Sequence, residues 1–136
     1  MSKIALAALG IAAVAFAPPA HADVAGIAPF VGTWPGMRQA LTIDGSGNGT
    51  VTYADFTACP SCSMAAVPRA TVNFALTSVS GNTASGSITG DSGQGGNSGP
   101  VTATLVAQSF GQTIQLSAGK AGGLYCAQAI ASQCGG

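Results

Sequence analysis

The alternation on either side of one glycine turn limits what this chain can fold into more than any other feature. Leu41-Thr-Ile43 and Val51-Thr-Tyr53 each place apolar residues at every second position, and Gly45-Ser-Gly-Asn-Gly49 lies between them. A period of two puts alternate side chains on one face of a strand, and a Gly- and Asn-rich break lets the chain reverse. Arg38–Ile43 and Thr50–Phe56 are therefore predicted to form a β-hairpin. The same residues admit a second reading. Asp44, Ser46, Asn48, Thr50 (through its carbonyl), Thr52 and Asp55 fall in EF-hand order, with Gly49 at the sharp-turn position. Against a calcium loop stand the short Asp at the last ligand position and the Pro35-Gly36 break, which cuts off an incoming helix. The β-forming run Thr50-Val-Thr-Tyr53 and the lack of a partner loop also count against it. The hairpin is the expectation, with weak calcium binding through residues 44–55 as the alternative.

The rest of the chain repeats the hairpin's pattern. Val31–Trp34 begins it, and Val72, Phe74 and Leu76 share one strand face. Thr83–Thr89 is a weaker Gly- and Ser-containing strand. Val101 to Ala107 and Ile114 to Ala118 alternate, and Leu124–Cys126 ends the series. Turn residues separate these runs: Ser80-Gly-Asn82, the Gly-rich stretch 90–100 read as a flexible loop, and Phe110-Gly111. Residues 57–69, with Pro60 and Pro68, make the longest irregular connection, and only Tyr125–Ser132 has any helical character. About eight short strands at this spacing predict an all-β fold, a mostly antiparallel barrel or sandwich. Residues 30–136 form its single domain.

The start of the chain reads as an address. Lys3 precedes the apolar run Ile4–Phe16, which is too short to span a bilayer, and Ala20-His21-Ala22 fits a signal-peptidase site. Residues 1–22 are thus a predicted cleavable signal peptide and residues 23–29 a flexible lead. The mature protein is expected to be soluble, without a transmembrane segment, and secreted or held in the cell envelope. Cleavage would remove the only His, and the chain has no Glu. Three cations, Arg38, Arg69 and Lys120, then face four aspartates, a formal charge of −1. The sequence has no basic run for a phosphate backbone, so nucleic-acid binding is not expected, nor is polybasic attraction to anionic lipids.

Four cysteines in an exported chain read as two disulfides. Three pairings are open. The local one, Cys59–Cys62 with Cys126–Cys134, is preferred because each pair is close in sequence, while a cross-pairing would constrain the unfolded chain more. The Cys59-Pro-Ser-Cys62 spacing also suits a redox pair, and the four thiols could in principle hold zinc. The first needs a βαβ setting and the second a reducing location.

Enzymatic machinery is not expected. Without His there is no Ser-His-Asp or Cys-His arrangement. A hairpin would keep Asp44 and Asp55 too far apart for paired carboxylate chemistry, and Asp91 has no evident partner.

Two resemblances add to this reading. Ile27-Ala-Pro-Phe-Val-Gly-Thr-Trp34 is similar to the Phe-x-Gly-x-Trp opening of calycin-type barrels such as lipocalins and nitrobindin-like domains. That resemblance implies that Trp34 plugs the closed end of a barrel and that small apolar ligands or haem are bound. A haem ligand has no counterpart, because the mature chain lacks His. The order Gly-x-Trp, Leu-Thr-Ile, Asp-Gly-x-Gly, a Cys pair, Gly-Pro-Val-Thr-x-Thr-Leu and a final Tyr-Cys…Cys-Gly resembles small exported proteins of mycobacteria and related actinobacteria, whose function is uncharacterised. This implies export and an all-β fold but carries over no active site.

The expectation is therefore a non-enzymatic binding or interaction protein of the envelope or exterior, without a cofactor. Its partner would be an apolar small molecule or an envelope protein, and a purely structural envelope role is a further alternative. Val72, Phe74, Leu76, Leu105, Ile114 and Leu116 either line an apolar pocket or fill a closed core, since barrels of eight strands do both.

Overall fold

The computed structural model describes residues 24–135; the predicted signal peptide lies outside the described residues. Eight strands follow one another as a simple meander. They are β1 (Gly32–Gly36), β2 (Gln39–Ile43), β3 (Asn48–Ala54), β4 (Arg69–Ser80), β5 (Thr83–Asp91), β6 (Pro100–Gln108), β7 (Gly111–Ser117) and β8 (Gly123–Cys126). Each pairs antiparallel with the next, in the spatial order β1 to β8. The predicted hairpin is β2–β3, with Leu41 opposite Val51 and Ile43 opposite Gly49. The sheet curls until β1 and β8 come together, which makes a nearly closed barrel.

Curling works because inward positions are apolar and outward ones polar. Leu41, Val51, Val72 and Ile114 are fully buried, while Thr42, Thr50 and Gln115 point outward and are exposed. Two glycines mark places where a side chain cannot fit. A Cβ on Gly49 would overlap the Phe74 ring, and one on Gly86 would overlap the Ala75 carbonyl. The second lies beside the register shifts that bend β4 against β5.

The interior is filled. Trp34, Tyr53, Phe74, Leu76, Leu116 and Tyr125 belong to one buried cluster with the residues above. Of the six residues offered as pocket or core, Val72, Phe74, Leu76, Ile114 and Leu116 are buried in this cluster, and Leu105 packs half-buried against it. They face the barrel interior as parts of one packed cluster.

The two ends are closed differently. At the end formed by the β2–β3, β4–β5 and β6–β7 turns, the segment before β1 folds in. Residues Ala28–Phe30 make a 3-10 turn, and Ile27 and Phe30 are buried. The Trp34 indole N–H donates to the Phe30 carbonyl at 2.9 Å. The lead expected to be flexible is thus part of the core, because its apolar residues fill an otherwise open barrel end. We call this the lead end.

The tail seals the seam. Cys126 follows the inward Tyr125 and so faces outward, yet it is fully buried because the 3-10 segment Gln128–Cys134 lies over it. Both local disulfides are present, Cys59–Cys62 and Cys126–Cys134, and neither leaves a free thiol. The second fastens the tail to β8, and Gly135 reaches Met37 in the β1–β2 turn. A Cβ on Gly36 would come within 2.7 Å of the Tyr125 ring, so glycine permits the close approach of β1 to β8.

Candidate functional site

The opposite end, which we call the loop end, is built by the β1–β2 turn and the connections 55–68, 92–99 and 118–122. Two of these connections are organised by carboxylates. Asp91 accepts hydrogen bonds from the Tyr53 hydroxyl (2.8 Å), Gly93 N–H (2.9 Å), Asn97 N–H (3.0 Å) and Asn97 Nδ2 (3.0 Å). Asp55, only 2% exposed, accepts from Gln94 N–H at 2.7 Å and Ala58 N–H at 3.3 Å. A Cβ on Gly93 would lie 2.5 Å from an Asp55 oxygen and 2.7 Å from the Tyr53 hydroxyl, so the chain can pass between them only as glycine. The stretch predicted to be a flexible loop is therefore folded around two side chains.

The electrostatics follow from these contacts. Burial works against the Asp91 charge, but the Asn97 and Gly93 amides, the Tyr53 hydroxyl and the Asn97 side chain outweigh it, and its pKa falls below the usual carboxylate value. Burial, reinforced by the Asp91 bond, pushes the Tyr53 pKa up to about 12. Burial alone also raises that of Tyr125, whose hydroxyl lies 2.7 Å from Gln39 Oε1 and 2.8 Å from the Ala121 carbonyl. Both carboxylates here spend their lone pairs on loop donors, which makes them anchors rather than an exposed acid–base pair.

Above these anchors lies a recess of about 370 Å³, lined by Gln39, Ala54, Phe56, Thr57, Met64 and Lys120. The Lys120 ammonium donates to Thr57 Oγ1 at 3.0 Å, and its backbone N–H donates to Asn97 Oδ1 at 2.8 Å, so three connections meet around it. Two of its lining residues are apolar and exposed, Phe56 at 40% and Met64 at 48%, whereas Met37, 71% exposed, lies beside Leu124 and the tail residues Gln133, Cys134 and Gly135. Met37 sits at the tip of the β1–β2 turn, next to Arg38, whose φ of 58° lies in the left-handed region. A non-glycine residue there costs about 1–2 kcal/mol.

The sequence-predicted ligands of the calcium alternative are not brought together. Asp44 stands in the β2–β3 turn at the lead end and Asp55 at the loop end, separated by on the order of 20 Å of strand. Asp44 Oδ1 instead accepts the Ser46 hydroxyl (2.7 Å), Ser46 N–H (2.9 Å) and Asn48 N–H (3.0 Å), and Asn48 Nδ2 donates to Ser46 Oγ. The Ser46 hydroxyl leads in lowering the Asp44 pKa, and the turn amides add to it. Thr50 and Thr52 lie along β3, with the Thr52 hydroxyl accepting from Ala40 N–H. The EF-hand order is thus a self-capped turn followed by a strand, and the corrected ligand set does not converge. Among the described residues, no group of three or more His, Cys, Asp or Glu is placed to hold a metal ion.

A second recess of about 310 Å³ flanks the Asp44 turn, with Gly49 and Phe74 among its lining. It lacks both the cation and the exposed apolar rim of the first.

Comparison with protein-family models, with curated proteins and with solved structures finds no match to this chain.

Proposed function

We propose that this protein is an exported, non-enzymatic interaction module that works through its loop end. One observation carries the reading. Arg38, Arg69 and Lys120 all lie in or beside the loop-end connections, together with the exposed Met37, Phe56 and Met64. Of the acidic groups at the same end, Asp55 is buried against Gln94 and Asp91 is half-buried against Tyr53, and the exposed Asp44 is at the lead end. Phe56 and Met64, which border one recess, form an exposed apolar patch of the kind that marks interaction surfaces. Two disulfides support an oxidising location.

A small apolar ligand would find room in the loop-end recess rather than among the buried side chains of the interior. Its volume falls within the range of small-molecule sites.

Photo-cross-linking in the producing cells tests this reading. A photoreactive residue at Met64 is expected to form adducts, whereas one at Phe110, exposed at the lead end, is expected to form few. Equal yields from both positions, or adducts from Phe110 alone, would contradict it.

A further inference from the structure

We infer that the partner of the loop end is an anionic lipid surface, an inference that rests on the loop end being the interaction face. The positive charges are far apart in sequence, at Arg38, Arg69 and Lys120. In a simple meander the β1–β2, β3–β4 and β7–β8 connections emerge at the same end, so the fold gathers what the sequence disperses. Of the aspartates at this end, Asp55 is buried and Asp91 is half-buried, so the fully exposed charged side chains there are all cations. Asp91 is surrounded by Tyr53, Gly93 and Asn97, and Asp55 is buried beneath Gln94.

The apolar members point to lipid in particular. Phe56 and Met64 border one recess with Lys120, and Met37 stands next to Arg38 on a separate connection, the β1–β2 turn. Side chains at one end of a barrel approach a flat surface together. Flexible thioether and aromatic groups can enter the headgroup–acyl boundary without a shape-matched partner, while nearby cations meet anionic headgroups. Arg38, held in the left-handed region, fixes the turn that carries Met37 at its tip.

The test is flotation of the protein, purified from cells expressing the full chain, with phosphatidylcholine vesicles and with the same vesicles containing phosphatidylglycerol. Binding is expected only with phosphatidylglycerol and should weaken as salt is raised. Each cation near such a surface is worth about five-fold in binding, so Arg38→Gln with Lys120→Gln should weaken it roughly 25-fold. Met37→Ser with Met64→Ser should weaken it at low and high salt alike, and Phe110→Ser should leave it unchanged. All of these side chains are exposed or partly exposed, and an intact two-disulfide mass with a β-sheet spectrum verifies each variant. Absence of flotation, or equal loss on Phe110→Ser, overturns the lipid assignment. If Met64 then still cross-links to protein in cells, the loop end survives as an interaction face with another partner. If Met64 gives no adduct at all, the underlying reading fails as well.

Discussion

At the scale of single residues, Asp91 has the most consequential environment. Four donors on Tyr53, Gly93 and Asn97 converge on a carboxylate that a cursory reading would assign to solvent. Its native pKa lies below the unfolded value of about 3.9, so at intermediate pH the unfolded chain binds more protons. The stabilisation it provides is therefore fully present above about pH 4 and is lost as pH falls through the lower native value. Asp91→Asn is expected to cost about 2 kcal/mol at neutral pH and to flatten the acid limb of the stability curve. Denaturant titrations of both proteins at neutral pH and below pH 4 check this. An acid limb as steep as that of the parent protein would show that Asp91 does not anchor the loop. This anchor was partly legible in the sequence. Asp91-Ser-Gly93 is the spacing at which an Asp side chain bonds the amide two residues on. Its pairing with Tyr53 was not, because that contact depends on the curl of the whole sheet. The Asp44 turn admitted two readings for a related reason: one carboxylate bonding its own turn uses the residues a calcium loop would require, and the hairpin expected there is the one formed.

At the scale of elements, the strands were the most legible part, because each carries its own period-two pattern. All eight appear close to the predicted places, and the weakest, β5, owes its position to pairing with β4 and β6. The lead and tail were less legible. Ile27 and Phe30 look like a short unpatterned segment until a barrel end needs filling, and Gln128–Cys134 has no strong periodicity. The local disulfides matched the sequence preference, but the task of Cys126–Cys134 in holding the tail across the β1–β8 seam required the structure. Closing a loop of eight residues' separation is worth about 2.5 kcal/mol on the chain-entropy view. Cys126→Ala with Cys134→Ala should lower stability by about that amount and speed amide exchange in β1 and β8 more than in β3 and β4. Uniform acceleration along all eight strands would contradict the seam role.

At the scale of the whole molecule, the barrel has a filled interior, an end closed by its own lead and an end that carries the cations and exposed methionines. Net charge and sequence runs could not reveal this polarity, since Arg38, Arg69 and Lys120 are isolated residues in the chain. It became readable only with the strand order, because a meander sends alternate connections to the same end. The loop end is the proposed recognition surface. Hydrogen–deuterium exchange of the protein, alone and mixed with envelope membranes of its producer, tests it most directly. Protection confined to the β1–β2 turn, the 55–68 connection and residues 118–124 is the predicted result. Protection centred on the Asp44 turn or on Phe110, with the loop end unchanged, would contradict it.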